Sequence, residues 1–194
     1  MTPRQPHHHR RVPAYTAVLV LFLALVGSLG LTTSTASAAP YCGIVWGSLA
    51  KSGGGSGAQT VAGVRTGQHD CYDRLVIDLN GGPSVGYRVE YVDAVYKDGS
   101  GALVQLGGGA RLQIVVHAPS YDIADGHPTY TPADPAHLAD VTGYRTFRQV
   151  ADAGSFEGQT NIGLGVRARL PFRVFTLAGP GTGSRLVIDV AHRW

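Results

Sequence analysis

Arg74-Leu75-Val76-Ile77-Asp78 returns letter for letter at Arg185-Leu186-Val187-Ile188-Asp189, once early in the patterned part of the chain and once just before its last residues. In an extended backbone, successive side chains point to opposite faces. Leu75, Ile77 and Leu79 therefore share one side, and Arg74, Val76 and Asp78 the other. Leu186, Ile188 and Val190 repeat that split. The pattern predicts two half-buried strands whose charges sit on a solvated face, and it gathers no charges around a reacting atom.

Outward from these two copies the rhythm continues. Residues 60–66, 73–79, 87–96, 103–106 and 111–117 read as a first group of strands, with turns at Asn80-Gly81-Gly82-Pro83 and Lys97-Asp98-Gly99-Ser100-Gly101. Residues 144–152, 160–167, 172–177 and 185–191 form a second group, separated by turns bearing Gly or Pro. The glycines of Gly179-Pro180-Gly181-Thr182-Gly183-Ser184 read as a strand connection. No window of a dozen residues outside the N-terminal leader sustains a 3.6-residue period, so the class is all-β, a sandwich or a barrel.

The first forty residues indicate where the protein works. Arg4, His7, His8, His9, Arg10 and Arg11 precede an uncharged apolar run from Ala14 to Leu31, and small residues follow. This is the layout of a secretory signal peptide, with Ala36-Ser37-Ala38 placing the cut before Ala39. A retained membrane anchor is the competing reading, since the run reaches the ~18 residues a span requires. The small-residue cleavage site and the absence of a basic stop-transfer cluster favour cleavage, which leaves no stable membrane insertion.

Cleavage changes the charge argument. Arg4, Arg10 and Arg11 leave with the leader, so thirteen basic residues face thirteen acidic ones in the mature chain. Zero net charge removes the basis for nucleic-acid or anionic-membrane binding, and it predicts that any ligand is held with little sensitivity to salt. Both cysteines, Cys42 and Cys71, survive cleavage and are expected to form a disulfide in an exported protein. Closing that loop contributes about 3.5 kcal/mol in the chain-entropy model.

Two stretches break the strand rhythm. Residues 39–57 hold Trp46 and the tract Lys51-Ser52-Gly53-Gly54-Gly55-Ser56-Gly57, which reads as a flexible arm pinned by the disulfide. Residues 119–141 carry Pro119, Pro128, Pro132 and Pro135 with Tyr121, Tyr130, Asp122, Asp125, Asp134 and Asp140. A loop of this length is either a functional loop or a crossover between sheets. Asp134-Pro135 is a helix-start signature and predicts one helical turn over 135–139. Aromatic rings stack on the apolar face of a sugar and carboxylates accept its hydroxyl protons, so Tyr121, Tyr130, Asp122 and Asp125 are candidate ligand contacts, with Trp46 of the arm next.

Catalytic patterns are thin. The chain has no His-Glu-x-x-His and no phosphate loop with its lysine. Glu90 and Glu157 are its only glutamates, so a paired-carboxylate glycosidase would depend on Asp. His69, His117, His127 and His137 match no standard metal spacing, and bonded cysteines leave no thiol nucleophile. The expectation is a protein that is no enzyme and needs no cofactor or metal.

Several separated motifs carry a resemblance. Residues 63–79 (Gly-Val-Arg-Thr-Gly-Gln-His-Asp-Cys-Tyr-Asp-Arg-Leu-Val-Ile-Asp-Leu), Gly86-Tyr87-Arg88-Val89-Glu90-Tyr91-Val92, Pro171-Phe172-Arg173-Val174-Phe175-Thr176-Leu177 and Ser184-Arg185-Leu186-Val187-Ile188-Asp189-Val190 occur in the order found in the AMIN-like domain of secreted actinobacterial proteins, which this chain resembles from about Val61 onward. The resemblance implies a two-sheet β-sandwich of about 8–10 strands with one long irregular loop. It further implies a module related to the AMIN domain, which localises its host to the envelope and binds peptidoglycan. That domain usually accompanies an amidase, and no amidase segment is expected here. The resulting expectations are a signal peptide over 1–38, an arm over 39–57 and the sandwich over 58–194. The protein is expected outside the cell or at its wall, bound to peptidoglycan or other wall glycan. The alternative is a secreted adaptor or inhibitor with a protein partner, using the long loop or an exposed sheet edge.

Overall fold

The computed structural model describes residues 40–55 and 58–194; the leader with Ala36-Ser37-Ala38 lies outside the described residues. Eleven strands are described: β1 (Lys51–Gly53), β2 (Thr60–Gln68), β3 (Tyr72–Asn80), β4 (Tyr87–Val92), β5 (Val95–Tyr96), β6 (Leu103–Val104), β7 (Ala110–Val116), β8 (Phe147–Phe156), β9 (Gln159–Val166), β10 (Phe172–Ala178) and β11 (Ser184–Ala191). Nine of them form two antiparallel sheets, ordered β1-β4-β7-β9-β8 and β10-β11-β3-β2, and β5 with β6 forms a separate hairpin. The all-β class read from the pattern, and the two-sheet sandwich that the resemblance implies, are the observed fold. The hairpin between β8 and β9 turns at Glu157 and Gly158, both with positive φ, the backbone twist that a two-residue connection between strands requires.

The repeated pentapeptide sits at the middle of the four-stranded sheet, paired with its own copy. Because β11 runs antiparallel to β3, Arg74 faces Asp189, Val76 faces Val187 and Asp78 faces Arg185. Leu75, Ile77, Leu186 and Ile188 point inward and meet Val89, Leu112, Ile114, Ile162 and Leu164 of the other sheet in the main core. The outward side is not the solvated face that the alternation predicts. Val76 and Val187 are 5 % and 1 % exposed, and Asp189 is fully buried. A period of two tells which residues share a side, and here both sides are covered.

The open flanks of the sandwich are closed by the two stretches that broke the rhythm. Lys51–Gly53, read from sequence as the start of a flexible tract, pairs with Tyr87–Val89 of β4, while Gly47 bridges to Phe172 of β10 in the opposite sheet. Residues 41–53 thus form a strap across one flank, joined through Cys42–Cys71 to the turn before β3. The long loop closes the other flank as a crossover. Thr129 Oγ1 donates to Val61 O at 2.8 Å, Leu138 N to Val150 O and Asp152 N to Pro135 O, so the segment ties β2 to β8. The expected helical turn is one hydrogen-bonded turn instead, with His137 N donating to Asp134 O and Ala136 N to the Asp134 carboxylate. Buried Asp73 anchors the end of the crossover by accepting from the backbone N–H groups of Thr146 and Phe147 and contacting His192 Nε2. Unpaired strand edges invite association, and the strap and the crossover both blunt them.

The outward face of the five-stranded sheet is also occupied over β8 and β9. Val95, Val104 and Leu106 pack on Ala151 and Ala153 as a satellite core. A Cβ at Gly165 would collide with Gly107 O, so the close approach of this segment to β9 depends on glycine there. No helix among the described residues is long and apolar enough to cross a membrane.

Two stability predictions follow from this packing. Ile188→Ala should cost about 2–5 kcal/mol through lost core packing, and Val187→Thr about 1–3 kcal/mol through an unpaired buried hydroxyl. Chemical denaturation checks both, and a negligible loss at Val187 would return that face to solvent. Tyr91 gives a pH signature, because its hydroxyl donates to Leu170 O at 2.6 Å and accepts from Leu170 N at 2.9 Å. Burial pushes its phenol up to about 12, with the Leu170 bond pulling the other way. The neutral form stabilises the fold fully below the ordinary value of about 10, and that contribution is lost as pH rises towards the folded value. Thermal melts across this window should show a decline that Tyr91→Phe flattens.

Candidate functional site

The residues singled out from sequence do not meet at one place. Tyr121, Asp122 and Asp125 share a tight turn closed by the Tyr121–Pro128 bridge, where each carboxylate accepts a backbone N–H two residues on, from Ala124 and from His127. The Tyr121 hydroxyl accepts from Gly158 N at 3.2 Å, which fixes that ring to the β8–β9 hairpin. Tyr130 packs against the main core instead of standing free on the loop. Burial raises the pKa of its phenol, and Asp152 adds to the effect. Trp46 lies elsewhere, on the strap.

Trp46 is the residue around which a surface assembles. Its ring stands 5.9 Å from Tyr72, and Tyr72 in turn stands 4.6 Å from His69. The Arg173 guanidinium lies 5.5 Å from Trp46, 5.3 Å from Tyr72 and 5.0 Å from Phe175, and the Arg74 guanidinium lies 5.2 Å from Tyr72 and 5.6 Å from Phe175. Planar cations interleaved with rings gain from the ring quadrupole and keep both groups ordered. The local cause is strand alternation. Tyr72 and Arg74 on β3, and Arg173 and Phe175 on β10, are spaced two apart and emerge on the same outward face of the four-stranded sheet.

Asp189 organises the charges. Arg74 donates through Nε and Nη2 to its two oxygens at 2.6 and 2.9 Å, and Arg173 donates from Nε at 2.8 Å. The bonds to Asp189 raise the pKa of Arg74 above its ordinary value despite partial burial. The other end of the face repeats the arrangement more openly: Arg65 clasps Asp78 at 2.7 and 3.0 Å, and the cross-strand neighbour of Asp78 is Arg185. Sequence reasoning identified Arg74 and Asp78 only as solvated charges and passed over Arg173, Tyr72 and Phe175. The signal was present in the aromatic and arginine residues at i, i+2 in Tyr72-Asp73-Arg74 and Arg173-Val174-Phe175.

A depression of about 660 Å³ on the crossover, lined by His137, Asp140, Thr142, Tyr144 and Arg148, is the rival site by size. Its polar groups are already engaged. Arg148 donates to the carbonyls of Tyr144, Phe147 and Arg145, Asp140 accepts from Thr142 N, and His137 pairs with Asp134 at 2.9 Å. The sheet face, with its rings and partly exposed guanidiniums, offers more for a ligand to contact. Among the described residues no three His, Cys, Asp or Glu side chains converge as metal ligands.

Comparison with known families adds one finding: a family model described as the AMIN-like domain matches residues 59–192. No curated protein matches the chain.

The charge arrangement predicts unequal costs at its two ends. Asp189→Ala should destabilise by about 3–5 kcal/mol, because it leaves two guanidiniums facing each other without their buried partner. Asp78→Ala, at the open end, should cost no more than about 1 kcal/mol. Urea denaturation of the two variants checks this, and similar losses would contradict the organising role of Asp189.

Proposed function

Because the chain belongs to the AMIN-like domain family, we propose that it is a secreted, non-catalytic module of the cell envelope that binds peptidoglycan or another wall glycan. The observation that carries this reading is the outward face of the four-stranded sheet. Trp46, Tyr72 and Phe175 are each half-buried there, so their rings are held in place yet remain reachable. Rings of this kind suit the apolar faces of sugars, and the neighbouring guanidiniums suit the polar groups around them. Export is supported by the leader-like N-terminal sequence and by the Cys42–Cys71 disulfide, which belongs to an oxidising compartment.

A secreted adaptor with a protein partner is the second reading. It is favoured by Ile123 and Phe156, which are 67 % and 52 % exposed beside the contact between Tyr121 and Gly158. Exposed apolar side chains at one end of a sandwich are features of a protein contact surface more than of a glycan site.

Co-sedimentation with purified sacculi tests the first reading and separates it from the second. The parent protein should pellet with sacculi, and Phe175→Ala should weaken this by about tenfold, equivalent to ~1.4 kcal/mol. Tyr121→Ala should leave sedimentation unchanged. Loss at Tyr121 with none at Phe175 would move the ligand to the 121–128 turn, and a parent protein that stays in the supernatant would leave the adaptor as the better account.

A further inference from the structure

We propose that the outward face of the four-stranded sheet recognises carboxylates carried by the wall polymer, namely those of the peptide stems of peptidoglycan. This inference rests on the wall-binding reading and names the chemistry of its ligand. Its basis is the local charge count. The pairing of the two pentapeptide copies balances Arg74 against Asp189 and Arg185 against Asp78. Each outer strand then adds one more arginine, Arg173 from β10 at Asp189 and Arg65 from β2 at Asp78. Two carboxylates therefore serve four guanidiniums, so each end of the face keeps one positive charge in excess.

The excess has unused donors. Asp189 engages Nε and Nη2 of Arg74 and of Arg173, while the Nη1 groups of both make no hydrogen bond among the described residues. At the other end the Arg65 fork is taken by Asp78, so Arg185 contributes the excess there. Its Nη2 donates to Ala178 O and its Nε is buried without a partner, while its Nη1, like those of Arg74 and Arg173, makes no hydrogen bond among the described residues. Guanidinium groups match carboxylates in plane and spacing, which favours them over a neutral sugar as the polar contact. The two ends are four residues apart along β11, on the order of 13 Å at 3.3 Å per residue. Between them lie Phe175, Val76 and Val187, so the face reads positive, apolar, positive. A polymer with carboxylates spaced along an otherwise uncharged backbone complements that order. The zero net charge of the mature chain hides this segregation, and the weak salt dependence expected from it is replaced by a marked one.

Binding of the full mature protein to three preparations of sacculi tests this: untreated, with peptide carboxylates converted to amides, and with phosphodiester polymers removed by acid. Amidation should weaken binding by about tenfold or more, whereas removal of phosphodiesters should leave it unchanged. Binding to untreated sacculi should fall by roughly tenfold between ~0.05 and ~0.5 M salt, as the Debye length shrinks. Arg173→Lys keeps a charge beside Asp189 and the fold with it, but loses the planar fork; it should bind several-fold more weakly to untreated sacculi and no differently to amidated ones. Equal binding to amidated and untreated sacculi would overturn the carboxylate assignment while leaving wall binding in place. Loss only after phosphodiester removal would overturn it in favour of a phosphate polymer, and a parent protein that binds none of the three would remove both readings.

Discussion

The antiparallel pairing of one pentapeptide with its own copy is the interaction on which the rest of this sandwich depends. Arg-Leu-Val-Ile-Asp is self-complementary when reversed. Its terminal charges fall opposite one another, its central valines meet, and its leucine and isoleucine exchange places across the ladder. One register thus satisfies the backbone, the inner apolar face and the outer charges together. If β11 slipped by one residue against β3, Leu186 and Ile188 would turn out of the core and Arg185 and Asp189 would turn towards it, so the wrong pairing is penalised on both sides of the sheet.

Once β3 and β11 are fixed, their neighbours are constrained by the same carboxylates. Asp189 is buried and cannot be left with a single partner at low cost, which draws Arg173 of β10 over it. Arg173 in turn lies beside Trp46, and Trp46 belongs to the strap that the Cys42–Cys71 bond holds against the turn before β3. The disulfide, the rings and the buried carboxylate are therefore steps in one chain of contacts from the N-terminal strap to the centre of the sheet. That chain explains why the outer valines are covered without a second layer of secondary structure: arginine stems and aromatic rings do the covering.

The two sheets differ in what lies outside them. The five-stranded sheet carries the β5–β6 hairpin and the glycine-rich segment after it, packed on alanines and glycines of β8 and β9. The four-stranded sheet carries only side chains, several of them charged and partly open to solvent. Both flanks are closed by the strap and the crossover. A ligand that approaches the sandwich broadside therefore finds the β8–β9 part of one face covered and an Arg88–Glu90 pair exposed on β4, whereas the other face presents guanidiniums interleaved with rings, and this difference gives the arginine–aromatic face its claim as the site.

The sequence by itself determined most of the strands, because a period of two, punctuated by glycine and proline, leaves few other ways to bury Leu75, Ile77, Leu186 and Ile188; the run 87–96, read as one strand, is broken into β4 and β5, which belong to different sheets. It also determined the class of the fold, the family resemblance and the pairing of the only two cysteines. It could not show that Val76 and Val187 are covered, since alternation assigns residues to a side and says nothing of what packs there. Nor could it show that Lys51–Gly53 becomes a strand: three residues of weak β-propensity pair only because β4 offers an edge. The site was decided by the tertiary structure. Tyr130 looked like an exposed ring in a polar loop, yet the crossover lies against the core and takes that ring with it. Trp46, Tyr72, Arg74, Arg173 and Phe175 come from three separate stretches of chain, and only strand order brings them together, because a carboxylate buried on one strand recruits guanidiniums from whichever strands lie on either side.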